Sequence, residues 1–219
     1  MSKVIEKAQS EGRKHLDESE VKQMLKDSGI PTTDFQHFHN LKEISVGKLD
    51  FPVALKVCSP NIMHKTDVGG VKLGIASKDE FKKTFESMRK KFPGEGFLVE
   101  PMYDGQVEVI IGLIEDGSFG LTIMFGIGGI FTDIYKDVTF RVLPITKKDA
   151  QEMLSEIKAA PLLDGFRNIK VDKEGLVNLL LKISRLGEEK KAVIDQMDLN
   201  PVFVNADGVI VVDAKMILK

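Results

Sequence analysis

Between residues 97 and 143 this 219-residue chain carries one strand-forming segment after another, with no helical stretch between them. Residues 97–102 (FLVEPM) and 107–114 (VEVIIGLI) are rich in branched and aromatic side chains, and Glu115-Asp116-Gly117-Ser118 marks a hairpin turn. Residues 119–125 return, and Gly126, Gly128 and Gly129 form a flexible loop before a further strand. Strands that follow one another without helices between them pair antiparallel, so the strict alternation of a doubly wound parallel sheet is excluded. The fold class is α+β.

Helices flank this stretch. Val4 to Gly12 suits a short polar helix. Asp17 or Ser19 can cap the next, in which Val21, Met24 and Leu25 form an apolar stripe that ends at Gly29 and Pro31. Ser77 caps a helix whose Phe81, Phe85, Met88 and Phe92 recur at steps of four, three and four. Thr146 caps a helix running to about residue 157, and Asp172 caps one carrying Leu176, Leu179, Leu180 and Ile183. Short strands are expected at residues 35–38, 52–57 and 71–75. Two more lie at 197–204 and 209–216, joined by the turn Asn205-Ala206-Asp207-Gly208. The length suits about one and a half average domains. Pro101 and Gly105 flank a polar turn that divides the chain into lobes at 1–100 and 101–219.

Composition removes several function classes. Apolar residues make up 42%, enough for a real core, and the formal charge of −2 supplies no basic field for nucleic acid or anionic lipid. With 13 Phe, 2 Tyr and no Trp there is no stacking platform for single-stranded nucleic acid. One cysteine, Cys58, makes neither an internal disulfide nor a CxxC metal site, which fits a reducing, cytoplasmic setting. The longest weakly polar run, residues 121–131, is far short of the roughly 20 residues of a spanning helix. The first fifteen residues contain no apolar run of the kind a secretory signal needs.

Three features point to phosphate chemistry. Lys56 interrupts the apolar strand PVALKV, and a buried ammonium needs an anion: a phosphate oxygen or a neighbouring carboxylate. In the loop from His64 to Gly70, two glycines let backbone N–H groups approach a phosphate and Lys65 adds charge, although the Walker A spacing is absent. With the last turn at residues 205–208, Asn200 and Asp213 sit opposite each other, either as a polar cross-strand pair or as two hard oxygen ligands for Mg2+. Glu100 and Glu108 flank the lobe boundary, as acceptors for an adenine amino group or ribose hydroxyls or as solvated surface carboxylates.

Taken in order, the segments EGRKHLDESEVKQMLKDSGIP, FPVALKVCSPNIMHKTDVGGVKLGI, LVEPM with VEVIIG, GIGGIFTDIYKDVTFRVLPIT, APLLDGFR, and MDLNPVF with VVDAK resemble the nucleotide-binding β subunits of ADP-forming acetyl-CoA synthetases (acetate–CoA ligases). These are ATP-grasp proteins, related also to the β subunit of succinyl-CoA synthetase. The segments span nearly the whole chain, and SPNIMHKTDVGGVKLG is the most specific of them. The resemblance implies an ATP-grasp fold, two α+β lobes enclosing ATP or ADP with Mg2+. It implies that Lys56 reaches the nucleotide phosphates, that Gly69 and Gly70 cover them beside Lys65, and that Glu100, Pro101 and Met102 lie on the strand that reads adenine through backbone groups. Glu108 would meet the ribose, Asn200 and Asp213 would bind Mg2+, and Arg141 would face the transferring phosphoryl group. His64 falls at the family's phosphoryl carrier, a role that suits a neutral imidazole as nucleophile. His15, His37 and His39 have no comparable setting.

The implied reaction is acyl-CoA + phosphate + ADP giving acid, CoA and ATP. Its CoA and acid sites would lie on an α subunit in an α2β2 assembly, because these residues hold no second glycine-rich βαβ unit for CoA. Rival functions are an ATP-grasp carboxylate ligase that forms an acyl phosphate without phosphohistidine, and a nucleotide-binding module without turnover. The chain departs from the family pattern at Asp133, where many relatives have Glu, and at Gln196, a frequent Glu. The segment after Arg167 lacks the usual glycine, and the region from 36 to 51 is short.

Overall fold

The computed structural model describes residues 3–129 and 137–219, so Asp133 lies outside the described residues. The chain divides into two compact units. The larger comprises residues 1–16, 21–32 and 104–219, and the smaller residues 17–20 and 33–103. The expected boundary near residues 100–105 falls between Tyr103 and Asp104. The expected membership of the first lobe is corrected, because most of the first thirty-two residues group with the C-terminal part. The cause is strand pairing: β1 (His15–Leu16) joins β11 (Ala214–Leu218), with His15 opposite Ile217.

The larger unit is built on an antiparallel sheet of seven strands. β11 pairs with β9 (Ile194–Asn205), then β6 (Val107–Asp116), β7 (Gly120–Ile127) and β8 (Val138–Val142), while β10 (Gly208–Val211) folds back on β9. Val109, Ile111 and Leu113 of β6 and Ile123 and Phe125 of β7 are buried on one face of this sheet. Helices contribute to the same core: α1 (Lys3–Ser10) through Ile5 and Ala8, α2 (Glu18–Asp27) through Val21, Met24 and Leu25, α4 (Lys147–Glu156) through Ala150, Met153 and Leu154, and α6 (Lys173–Lys190) through the expected stripe of Leu176, Leu179, Leu180 and Ile183. A single turn, α5 (Ala160–Leu163), follows α4 in the chain. Thr146 forms a reciprocal capping box with Asp149, and Asp172 accepts from the Gly175 N–H.

The smaller unit holds a four-stranded antiparallel sheet, β2 (Gln36–Phe38), β5 (Gly96–Pro101), β3 (Val53–Cys58) and β4 (Val71–Ile75). α3 (Lys78–Lys91), capped by Ser77, buries Phe81, Phe85 and Met88 against this sheet's core. The Phe85 ring lies 5.1 Å from that of Phe97 and 5.4 Å from that of Phe38, within the range of favourable aromatic pairs. Every residue of β3 is buried, Lys56 included. Helix α2 begins in the smaller unit and continues in the larger. Among the described residues no helix is long and apolar enough to cross a membrane.

Candidate active site

In the smaller unit, β3 carries Lys56 into a place where only 5% of its side chain meets solvent. Of the two anions the sequence allows, the structure supplies the carboxylate, and supplies it twice. Lys56 Nζ lies 2.5 Å from Glu100 Oε1 and 3.0 Å from Glu18 Oε1. The other oxygen of Glu18 lies 2.5 Å from Nζ of Lys65, which is also buried. Glu100 accepts a further hydrogen bond at 2.5 Å from the hydroxyl of Thr33, which is fully buried. Lys56, Lys65, Glu18 and Glu100 thus form a buried cluster of two lysines and two glutamates. Each ion is matched, as burial of charge requires.

This geometry changes two expectations. The Glu100 carboxylate is not turned outward to accept from an adenine or ribose, since Lys56 and Thr33 already hold it inside the unit. Lys65 does not stand free over a phosphate loop, since its ammonium is inside against Glu18. Pro101 pairs with Val53 at the end of β5, and the Met102 N–H donates to the Pro52 carbonyl at 3.1 Å, so that backbone donor closes the strand end. Glu18 and Thr33 were not singled out in the sequence. The one signal was the lysine inside PVALKV, which demands an anion without saying where in the chain it resides.

His64 stands next to this interior with its side chain 78% exposed, and Asp67 Oδ2 lies 4.0 Å from its Nδ1. The turn that presents it is closed by backbone bonds. Gly69 N–H donates to the Thr66 carbonyl at 2.9 Å, and Gly70 N–H to the Lys65 carbonyl at 2.6 Å. The Gly70 carbonyl in turn accepts from Val57 N–H of β3 at 2.7 Å. Gly69 has φ +65°, the left-handed region open to glycine. A Cβ on Gly70 would come within 2.5 Å of Val57 Cγ1 and 3.0 Å of the Lys65 carbonyl. Gly70→Ala is therefore expected to destabilise the smaller unit by about 1–3 kcal/mol, the usual cost of overpacking. A urea denaturation midpoint equal to that of the parent would contradict this close packing.

In the larger unit, Asn200 and Asp213 meet as the sequence arithmetic requires. Gly208 pairs with Asn205 and Ala214 with Leu199, so one register runs from the turn as far as Ile217. Asn200 N–H donates to the Asp213 carbonyl at 3.2 Å. The expected single strand over 209–216 is broken at Val212 and Asp213, opposite Pro201, which has no N–H to give to the ladder. Val212 N–H instead donates to the Pro201 carbonyl at 3.0 Å. The two residues offer hard oxygen donors of the kind Mg2+ takes. Among the described residues no cluster of three His, Cys, Asp or Glu is placed to hold a metal. Such a pair suits an Mg2+ ion whose remaining positions are taken by phosphate oxygens and water. Glu108 is exposed on β6, its carbonyl accepting from Gly128 N–H at 2.7 Å. A Cβ on Gly129 would touch its carboxylate at 3.0 Å, so the glycine loop lies against this side chain.

Arg141 lies on β8 of the larger unit. It pairs across the sheet with Ile123, whose side chain is in the core, so the guanidinium leaves β8 on the helix-covered face. There it bonds the Glu156 carboxylate of α4, with Glu152 at 3.8 Å. The hydrogen bond from Arg141 holds the Glu156 carboxyl below the usual carboxylate range and raises the guanidinium in return. Residues opposite that face, Phe140 and Val142, are the exposed ones. The structure does not bring Arg141 together with Asn200 and Asp213.

Residues 7–218 match the ATP-grasp domain family, which defines the class of the protein. The chain is 46% identical to the acetate–CoA ligase [ADP-forming] II subunit beta of Pyrococcus furiosus, over 99% of this chain and 97% of that protein. It is 41% identical to the acetate–CoA ligase [ADP-forming] II of Archaeoglobus fulgidus, over 92% of this chain but 30% of that longer protein. It is also similar to the solved structure of the Ca. Korarchaeum cryptofilum dinucleotide forming acetyl-coenzyme A synthetase 1 in complex with coenzyme A and Mg-AMPPCP. In that structure the phosphohistidine segment points towards the nucleotide binding site. The TM-score is 0.86 at 40% identity, over 99% of this chain and 98% of that one. The chain belongs to the family of beta subunits of ADP-forming acetate–CoA ligases. It is a ligase subunit, and the α+β ATP-grasp expectation stands.

Proposed function

We propose that this chain moves a phosphoryl group between His64 and a bound adenine nucleotide, as one half-reaction of acyl-CoA + phosphate + ADP = acid + CoA + ATP. The observation that carries the reading is the placement of His64: an imidazole held out to solvent on a closed turn whose neighbouring residue is anchored inside. A carrier must reach two stations, which a side chain rooted in the core could not do. In the ATP-forming direction the P–N bond to the imidazole breaks while a terminal oxygen of ADP forms the new P–O bond, and the departing ring takes a proton from water to leave neutral imidazole. Lys56 is the lysine proposed to meet the nucleotide phosphates, exchanging a carboxylate partner for a phosphate oxygen. Gly69 and Gly70 are proposed to cover the phosphates, Glu100 to Met102 to provide the strand that flanks the adenine, and Glu108 to meet the ribose. Asn200 and Asp213 would hold Mg2+, which when bound neutralises phosphate charge.

The acid and CoA sites are assigned to an α subunit in an α2β2 assembly in the cytoplasm. The beta-subunit relatives and the longer Archaeoglobus protein, of which this chain matches 30%, support a separate partner. The test is to incubate the purified chain with Mg2+ and ATP labelled on its terminal phosphate. Label that is lost in acid and kept in alkali is expected. Acid-stable label, or none, would overturn the reading in favour of a ligase without phosphohistidine or a non-catalytic module.

Asp213→Asn is expected to raise the Mg2+ concentration needed for half-maximal labelling about tenfold or more, since ligand charge sets affinity for hard cations. The fold should persist, because the bond to Asn200 N–H comes from the Asp213 backbone carbonyl. A magnesium titration matching the parent would remove Asp213 from the metal site.

A further inference from the structure

We infer that Glu18 is a positioning residue that sets the His64-bearing turn relative to Lys56. The inference rests on the reading of His64 as phosphoryl carrier and Lys56 as phosphate ligand. Glu18 opens α2, and the start of that helix is fixed on both sides. Asp17 Oδ1 accepts from Glu20 N–H at 2.9 Å, and Asp17 N–H donates to Glu20 Oε2 at 3.0 Å. This reciprocal cap leaves the Glu18 backbone little freedom. Its side chain is 2% exposed and divides its two oxygens between two lysines from different segments, Lys56 of β3 and Lys65 of the turn.

Lys65 is the residue after His64. Its ammonium is held by Glu18 and its carbonyl by Gly70 N–H, so both ends of the residue are tied inside the unit. The exposed imidazole is thus mounted on an anchored neighbour, and the anchor is the same carboxylate that holds Lys56. One group thereby ties the carrier and the phosphate lysine to a common reference point. Any travel of His64 that carries Lys65 along must break the Glu18 pair. Any phosphate that reaches Lys56 competes with Glu18 for it. Glu18 accordingly acts through its neighbours and touches no reacting atom.

This role separates transfer from nucleotide affinity. Glu18→Gln keeps the volume, but its NH2 group faces an ammonium and cannot accept from it. The rate of acid-labile labelling from ATP is expected to fall about tenfold or more. The Kd for a non-hydrolysable ATP analogue with Mg2+, measured by calorimetry, should stay within about twofold of the parent or tighten, because a competing carboxylate has gone. Lys65→Met should slow labelling by a similar factor, and the double variant should be no slower than the worse single. Glu18→Asp, which keeps the charge, should recover part of the rate. Amide hydrogen exchange gives a readout independent of turnover. The Gly70 N–H should exchange at least tenfold faster in Glu18→Gln and in Lys65→Met, while β3 amides remain at the parent rate. Should Glu18→Gln fail to fold, Lys65→Met carries both measurements. Parent-like labelling and Gly70 exchange, multiplicative losses in the double variant, or a parallel fall of affinity and rate would each overturn the inference. Failure of the underlying reading shows separately, as absence of acid-labile label on the parent chain, and it would take the role of Glu18 down with it.

Discussion

His64→Ala is expected to take up no acid-labile label from ATP while unfolding at the same denaturant concentration as the parent. The two halves of that expectation come from one observation. The imidazole is 78% exposed, so its removal opens no cavity and leaves no buried group without a partner. Exposed substitutions of this kind change stability by about 0.5 kcal/mol or less. Yet the ring nitrogen is the atom to which phosphorus would be bonded, and alanine has no nucleophile to replace it. The remaining histidines lie outside that turn. His37 is exposed on β2 of the smaller unit, with desolvation lowering its affinity for a proton. His15 lies in a short strand paired with β11, in the larger unit. Labelling of the variant at the parent level, read by acid and alkali stability, would remove His64 from the mechanism.

Lys56→Met is expected to lose both stability and phosphoryl transfer, and a second substitution should separate the two losses. Methionine fills the space but leaves Glu100, with 1% of its side chain exposed, facing an apolar group. Breaking a buried ion pair by removing one partner costs about 3–5 kcal/mol. Domains hold about 5–15 kcal/mol in total, so the smaller unit should melt at distinctly lower urea. Adding Glu100→Gln removes the charge that Lys56 balanced and keeps an acceptor for the Thr33 hydroxyl, so most of the stability should return. Transfer should not return. An electrostatic contact to the transferring group is worth about 10²–10³ in rate, and neither variant restores an ammonium. Native stability in Lys56→Met would contradict the buried pairing. Recovery of labelling in the double variant would show that Lys56 serves the fold alone.

Much of the architecture could be read from local chemistry. Ser77, Thr146 and Asp172 cap the helices they were expected to cap, and Asp17 rather than Ser19 starts α2, because Glu20 stands three residues on to reciprocate. The turn at residues 205–208 fixed the partner of Asn200 by counting alone. What escaped was long-range or inverted. β1 is two residues long, too short for any period, and its partner lies about two hundred residues away. Nothing local could say that the start of the chain completes the sheet at its other end. Arg141 escaped for a different reason. On β8 the apolar Phe140 and Val142 point out while the arginine shares the helix-covered face with Ile123. The usual assumption that apolar residues mark the inward face assigns that strand backwards. Glu18 was hidden because an ion pair leaves no pattern: the lysine in PVALKV reports a missing charge, and the carboxylate that accepts from it sits 38 residues earlier at a helix start.

The ribbon formed by β9, β10 and β11 behaves as a vernier. Surface loops ordinarily tolerate gain or loss of a residue. Here the tip from Asn205 to Gly208 sets the count for a rung several positions away, where Asn200 lies across from Asp213. Deleting one residue at the tip would slide Val212 out of alignment with Pro201 and carry the carboxylate off its rung. A change that looks harmless at the periphery would in this way misalign the pair proposed to hold Mg2+ without touching either of its members.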